Sequence, residues 1–282
     1  MTRSEIEKAV EPIIRECLRK FGDYSPAEIS SEDFARTIAG DLRADVRRVS
    51  LLVSLTQSVT GGTLEGEGLE LGCGYGYLLF PMAQFNPQVR WTAVEHPDRR
   101  YFDRPEFQQA MRDNRCRLVG CDFVHEPLPF PDRNFSVLTF SETLEHLPVE
   151  RLNFVMDEIA RVLRPAGLLI ASSPNQASLE NRIRLLKGRS ILDLPDHVAV
   201  AKGTFGHIRL YTPDEIARLM SRLGFSTGRV VLESNNSVYR GASSKSLRRR
   251  LYRLYEMAEQ RLDFLRRFGD TWYMVFRKGG AS

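Results

Sequence analysis

The chain has 282 residues and a formal net charge of +4, and 42% of its residues are hydrophobic. This length fits one large domain, or one domain with additions, with enough apolar residues for a full core. No apolar run approaches the roughly 20 residues that cross a bilayer, and the charged start predicts a cytoplasmic protein without a signal peptide. The cysteines show no paired metal spacing and fit reduced thiols; they are Cys17, Cys73, Cys116 and Cys121.

The first 60 residues are predicted to be helical, because their apolar residues recur at helical spacing. The predicted helices cover residues 4–21, 31–40 and 43–58. Pro12 is expected to kink or split the first of them. We therefore divide the chain into an N-terminal helical region, residues 1–62, and a second domain, residues 63–282.

From Leu64 onward, predicted strands alternate with helices, of which 149–163 and 213–223 are the clearest. This alternation predicts an α/β fold: a Rossmann-like, doubly wound, mostly parallel seven-stranded sheet with an N-terminal helical extension. The predicted strands are 67–72, 90–95, 116–120, 135–141, 167–173, 228–234 and 271–278. Ligands of such sheets lie beyond the carboxyl ends of the strands, so the residues that follow each strand are the candidates for a site.

The first predicted strand leads into a loop that has glycine at every second position. Glu70 lies near the end of the strand, Gly72, Gly74 and Gly76 follow, and a helix is predicted next. Glycine allows the sharp turn and lets a ligand approach the backbone, while the helix directs free N–H groups at the same place. The loop therefore predicts a site for a small polar ligand.

Later strands are also followed by polar residues. Glu95 lies 21 residues after Gly74, where a carboxylate suits the two hydroxyls of a ribose. Asp122 can accept a hydrogen bond from an exocyclic amine, and Phe123 can lie against a purine, although Asp122 could instead simply cap the next turn. The fourth strand places several polar residues at the mouth of the sheet, namely Ser141, Glu142, Glu145 and His146.

Taken together, these motifs resemble those of class I S-adenosylmethionine-dependent methyltransferases, in particular bacterial enzymes that act on small molecules, glycans or lipids. The resemblance covers residues 66–225 and, more loosely, the chain up to Lys278. It includes the glycine loop, the acids at 95 and 122, the Glu145-His146-Leu147 turn and the Leu163-Arg164-Pro165-Ala166-Gly167 turn. Ala166 stands where a second glycine is usual.

The resemblance implies S-adenosylmethionine as the cofactor. The residues that it implies for cofactor binding are Glu70, Gly72, Gly74, Gly76, Tyr77, Glu95, His96, Asp122, Phe123 and Ser141. Glu70 would organise the amino end of the methionine, since a carboxylate there would repel a pyrophosphate but attract an ammonium group. Glu95 would hold the ribose with His96 beside it, and Asp122 would meet the adenine amine.

A methyl acceptor that is an alcohol must also lose a proton, and His146 and His207 are the predicted catalytic bases. A lone histidine is more often structural, and a carbon or amine acceptor needs no such base. The long segment 176–212 is expected to form the acceptor side of the site, with candidate contacts at Asn181, Arg182, Asp193, His197, His207 and Arg209. Asp193, Asp196 and His197 could ligate a divalent ion, but their spacing is no recognisable metal motif, so we predict no metal site.

The predicted acceptor is a small molecule, a sugar or a lipid-linked glycan, methylated at oxygen. Nucleic acid is not expected. Enzymes that methylate exocyclic base amines have an Asn/Asp-Pro-Pro-aromatic turn after the fourth strand, whereas Ser141-Glu142-Thr143-Leu144 stands here. We also see no basic and aromatic patch suited to a nucleic acid strand.

Two alternatives to an active methyltransferase stay open. A module could bind S-adenosylmethionine or its product without catalysis. A nicotinamide-dependent oxidoreductase could also use Glu95, although its usual loop is G-x-G-x-x-G and the loop here is G-x-G-x-G.

Residues 244–268 predict an amphipathic helix with leucines on one face and arginines on the other. Residues 241–282 carry ten basic and four acidic side chains. We favour a helix that packs on the core between strands six and seven. The alternative is a peripheral contact with an anionic membrane, for which substitution of Arg248, Arg249 and Arg250 by alanine should strongly reduce liposome binding. The oligomeric state is not predicted.

Overall fold

A computed structural model of the chain describes residues 1–21, 31–99, 101–192, 207–234, 255 and 263–280. Most of the predicted amphipathic segment 244–268 lies outside the described residues, as do the candidate acceptor and metal residues Asp193, Asp196 and His197. Within the described part, no helix combines the length and the apolar character needed to cross a membrane.

Two long helices precede the sheet, α1 (Arg3–Phe21) and α2 (Ser31–Thr60). The prediction that Pro12 could split the first helix is wrong, because α1 continues across it with Pro12 on its exposed face. The predicted break near residue 41 is also wrong, since α2 is one helix of 30 residues. Glycine inside a helix costs about 1 kcal/mol, so Gly40 does not by itself end one.

A seven-stranded sheet forms the centre of the molecule, in the order β3-β2-β1-β4-β5-β7-β6. The strands are β1 (Gly66–Leu71), β2 (Val89–Glu95), β3 (Arg117–Gly120), β4 (Phe135–Ser141), β5 (Leu163–Pro174), β6 (Phe225–Glu233) and β7 (Thr271–Lys278). The first five pair in parallel, and β7 runs antiparallel to β5 and β6. The predicted fold class is therefore confirmed.

Helices cover both faces of this sheet, as a doubly wound fold requires. They are α3 (Leu79–Phe85), α4 (Pro105–Asp113), α5 (Leu152–Val162), α6 (Leu179–Leu186), α7 (Pro213–Arg222) and the short α8 (Asp263–Arg266). The helix predicted from residue 149 begins at Leu152, after two 3-10 turns at Leu144–His146 and Val149–Arg151. The strand predicted from residue 167 begins earlier, at Leu163, because the Arg164–Gly167 turn is a bulge within β5.

Each face of the sheet has its own hydrophobic core. On one face, Val49 and Leu52 of α2 belong to the same buried cluster as Phe80 of α3 and Trp91 of β2. On the other face, α5 and α7 pack against β4 and β5. The strand order changes direction between β1 and β4, so a ligand crevice is expected at their carboxyl ends.

Glu233 at the end of β6 joins both N-terminal helices to the sheet. Its carboxylate accepts hydrogen bonds of 2.6 and 2.8 Å from Arg3 and one of 2.8 Å from Arg47. Burial acts to raise the pKa of Glu233, but the two guanidinium groups outweigh it and hold the pKa below its ordinary value of 4.5.

Glu233→Gln is expected to lower the free energy of unfolding by about 1–3 kcal/mol at neutral pH, because two arginines lose their charged partner. The pKa is lowered in the folded state, so this stabilisation is present above the unfolded value of 4.5 and disappears as the pH falls through the lowered value. Urea unfolding at pH 7 and at low pH measures both effects.

Glu11→Gln is the matched control, since Glu11 forms an exposed ion pair with Arg15 on α1. Its loss should stay within about 0.5 kcal/mol. Equal losses for the two variants, or a Glu233→Gln defect that does not shrink in acid, would contradict this role for Glu233.

Candidate active site

The glycine loop joins β1 to α3 at the switch point. Gly72, Gly74 and Gly76 all have positive φ, of 74°, 50° and 83°. A Cβ at Gly72 would lie 2.8 Å from the hydroxyl of Thr143, and one at Gly76 would lie 2.5 Å from the ring of Phe80. A Cβ at Gly74 would meet no atom within 4 Å. The loop is therefore packed tightly at its ends and open at its centre, where a ligand can approach the backbone.

Glu95 holds this loop in place. Its carboxylate accepts hydrogen bonds of 2.9 Å from the N–H of Gly74, from the N–H of His96 and from the hydroxyl of Tyr101. Arg99 adds an ion pair at 3.5 Å. Glu95 therefore has a structural role in the loop, which the sequence did not predict, while its predicted ribose contact stays a prediction. Sequence reasoning missed Tyr101 and Arg99.

The residues after β3 form a second group on the same side. The Asp122 carboxylate lies 2.7 Å from Nδ1 of His125 and 3.6 Å from Nε2 of His96, and it accepts the N–H of Val124. Burial acts to raise the pKa of Asp122, but the hydrogen bond and charge of His125 leave it lowered. Asp122 therefore does cap its own turn, and buried Phe123 lies next to it. Their adenine contacts remain a prediction.

Glu70 is a buried carboxylate on β1 beneath the loop. Glu70 is only 4% exposed, and its Oε2 atom has no hydrogen-bond partner among the described residues. Burial, together with the charge of Glu95, raises the pKa of Glu70 well above its ordinary value, although Arg48 and Thr139 act against the shift. A buried carboxylate oxygen without a partner fits an ammonium group, so this observation supports the methionine end of S-adenosylmethionine as ligand.

Arg48 of α2 is a site residue that sequence reasoning missed. Its guanidinium lies 2.9 Å from Asp45 and 3.5 Å from Glu142. Burial acts to lower the pKa of Arg48, but Asp45 and Glu142 leave it raised. The sequence signal was an i, i+3 charged pair within the apolar stripe of α2. The N-terminal helical region thus supplies a cation to the mouth of the sheet.

Ser141 and Glu142 follow β4 and bond to the end of β5. The Ser141 and Ser172 hydroxyls are 2.7 Å apart, and Ser172 donates to Glu142 at 2.9 Å. Glu142 has a φ of 50°, a strained value for a residue other than glycine. In the glycine loop, the predicted residue Tyr77 directly follows Gly76, and its buried hydroxyl has no hydrogen-bond partner within the described ranges.

The two predicted bases lie together. The rings of His146 and His207 have centroids 5.2 Å apart. The Glu145 carbonyl accepts the N–H groups of Ile208 and Arg209, at 2.8 and 3.3 Å, and so fixes the 207–209 segment against the turn after β4. The Glu145 side chain accepts from Ser173 at 3.0 Å, and burial together with Glu142 raises its pKa well above the ordinary value.

The described candidate acceptor contacts have structural partners of their own. Asn181 donates to the carbonyl of Asn175, Arg182 donates to that of Ala177, and Arg209 pairs with Glu215 at 2.8 Å. The structure therefore brings His207 to the mouth of the sheet but assigns no acceptor contact to these three residues, and their role remains a prediction.

Comparisons with known proteins point to the same family as the sequence motifs do. A protein-family model for a methyltransferase domain matches residues 36–228. A tRNA N(3)-methylcytidine methyltransferase of Drosophila melanogaster is 23% identical over 183 residues, which is 64% of this chain and 54% of that protein. A 27-O-demethylrifamycin SV methyltransferase of Amycolatopsis mediterranei is 34% identical over 119 residues, which is 40% of this chain and 41% of that protein.

A solved structure of a SAM dependent methyltransferase from Archaeoglobus fulgidus matches with a TM-score of 0.51 at 17% identity. The match covers 81% of this chain and 93% of that chain, and it shows the shared fold. The chain spans about half the length of the curated relatives it matches.

Proposed function

This chain belongs to the class I S-adenosylmethionine-dependent methyltransferase family, and we propose that it transfers the methyl group of S-adenosylmethionine to an oxygen atom of a small molecule, a sugar or a lipid-linked glycan. The observation that carries the proposal is the pair of imidazoles at the mouth of the sheet, 5.2 Å apart. The turn that bears His146 also packs on the glycine loop, since Thr143 faces Gly72. Proton acceptor and donor cradle are therefore neighbours.

The chemistry needs little beyond positioning. S-adenosylmethionine supplies a methyl group on a positively charged sulfur. The chain has to hold the acceptor oxygen in line with that methyl group, which lowers the barrier by several kcal/mol. As the C–O bond forms and the C–S bond breaks, the hydroxyl proton passes to an imidazole nitrogen of His146 or His207.

A second candidate acceptor is a tRNA cytidine. The similarity to a tRNA N(3)-methylcytidine methyltransferase favours it. The Ser141-Glu142-Thr143-Leu144 sequence argues against an exocyclic amine as the methylated atom, but N3 of cytidine is a ring nitrogen and is not covered by that argument. A ring nitrogen also needs no proton acceptor, whereas an alcohol does. The histidine pair therefore favours the alcohol over the tRNA cytidine as acceptor.

The direct test uses the full chain with methyl-labelled S-adenosylmethionine, offered either unmodified tRNA or a panel of glycosides, glycolipids and polyketide alcohols. Label in an alkali-stable ether of one of the small acceptors would support the proposal. Label in tRNA with none in the panel would replace it by the second candidate. Binding of S-adenosylhomocysteine without transfer to either class would indicate a binding module.

We expect His146→Ala and His207→Ala each to lower turnover of an alcohol acceptor by at least about tenfold, because each removes one of two neighbouring proton acceptors. Affinity for S-adenosylhomocysteine, measured by calorimetry, should stay within about twofold of the wild type, because the substitutions leave the donor site unchanged. Normal turnover in both variants would remove the histidine pair from the mechanism.

A further inference from the structure

Glu145, His146 and His207 have a second property besides proton transfer. One ligand atom from each lies within 4.8 Å of the other two. Nε2 of His146 lies 4.0 Å from Oε1 of Glu145. Two imidazole nitrogens and one carboxylate oxygen are the donor set of many zinc sites with an open fourth position.

We propose that Glu145, His146 and His207 bind a divalent ion of the zinc class at the acceptor mouth. Ligand atoms around tetrahedral zinc lie about 3.4 Å apart, given metal–ligand distances near 2.1 Å. The three side chains therefore need to close by roughly 1 Å, which rotation of the two imidazoles supplies. His146 is 28% exposed, so water or an acceptor oxygen can reach the cluster and complete the site.

The surroundings of the cluster support an ion there. The Glu145 side chain is 1% exposed, and the Ser173 hydroxyl orients it through its Oε2 atom, which leaves Oε1 on the side of His146. Hydrogen-bonded supports of this kind fix the direction of a metal ligand. The carbonyl of the same residue holds the 207–209 backbone, so one residue fixes both flanks of the site.

The cysteines of the described chain are weak competing ligands. All four cysteines are buried, and burial raises the pKa of each thiol, to about 12 for Cys17 and Cys116. His125 has a carboxylate partner in Asp122 but is 63% exposed, and it does not belong to the cluster. It therefore provides a matched control for a histidine beside an acid.

The experiment titrates zinc chloride into the chelator-treated full chain by calorimetry, without donor or acceptor. We expect one ion per chain in the wild type and in His125→Ala. His146→Ala and His207→Ala should each weaken binding at least about tenfold, and circular dichroism of the metal-free variants checks their folding. Wild-type affinity in both variants, or an equal loss in His125→Ala, would overturn the proposal.

A measurement on the wild type alone guards against variants that misfold. Cobalt(II) added to the chelator-treated chain should give visible d–d absorption of tetrahedral strength, which one equivalent of zinc removes. A spectrum equal to that of cobalt in buffer would also overturn the site. Because an ion there occupies the nitrogen lone pairs that the proposed proton transfer uses, zinc should slow methyl transfer. That last effect rests on the proposed function, whereas the binding tests do not, so failure of one leaves the other standing.

Discussion

Gly76→Ala should lose binding of S-adenosylhomocysteine, destabilise the chain, or do both. The added Cβ would lie 2.5 Å from the ring of Phe80, which is 2% exposed and packed in the core, so the ring cannot move aside easily. The φ of 83° adds a penalty of about 1–2 kcal/mol for a residue with a side chain. Overpacking adds roughly 1–3 kcal/mol.

The backbone penalty and the overpacking penalty lower either the stability of the chain or its affinity for the donor. If the loop keeps its shape, the free energy of unfolding falls by their sum. If the loop shifts to relieve them, the donor site is distorted and binding weakens. A loss of roughly 3 kcal/mol in binding free energy corresponds to about 100-fold in affinity. Thermal unfolding measures the loss of stability and calorimetry measures the loss of binding, so the two together account for the whole penalty.

Gly224→Ala is the matched control. Gly224 also has positive φ, of 78°, but an added Cβ there would meet no atom within 4 Å, and it lies between α7 and β6, away from the loop. It should show the backbone penalty in stability and unchanged affinity for S-adenosylhomocysteine. A Gly76→Ala chain that matches this control in both measurements would show that the tight contact with Phe80 is not needed.

The sequence can predict cofactor residues because each of them lies in a local pattern. The glycine loop follows β1, Glu95 ends β2 and Asp122 comes shortly after β3, and in a parallel sheet the ends of those strands meet at one edge. The fold topology alone is then enough to gather them. The helix boundaries at Pro12 and near residue 41 failed for the opposite reason, since tertiary packing of an apolar face outweighs a local breaker.

Other features of the site arise from contacts between distant segments. Arg48 reaches Glu142 because α2 packs on the sheet, and Tyr101 reaches Glu95 through a turn that carries no family motif. His146 and His207 were each predicted singly, but their approach depends on hydrogen bonds from the 208–209 backbone to Glu145. A local sequence pattern does not reveal contacts between distant segments, so the acceptor side of the site is the part that the sequence predicts least well.

Glu70→Gln should have opposite effects on the ligand-free chain and on donor binding. The glutamine keeps the shape of the side chain but removes the charge that would face the ammonium group of the donor. Loss of one member of a buried charged pair costs roughly 2–5 kcal/mol, so affinity for S-adenosylhomocysteine should fall by at least about 30-fold. Glu67→Gln on the same strand is the control, because Glu67 pairs with exposed Arg90 and should bind the product normally.

The ligand-free Glu70→Gln chain should be more stable than the wild type at neutral pH. The pKa of Glu70 is raised in the folded state, so the folded chain resists ionisation that the unfolded chain accepts above about 4.5. The wild type therefore loses stability as the pH rises from the unfolded value through the folded one, and the variant does not. Its advantage in Tm should be absent near pH 4 and grow toward pH 8. A variant that is less stable than the wild type at pH 8 would mean that Glu70 is satisfied without ligand, and its role as the ammonium partner would then lose its physical basis.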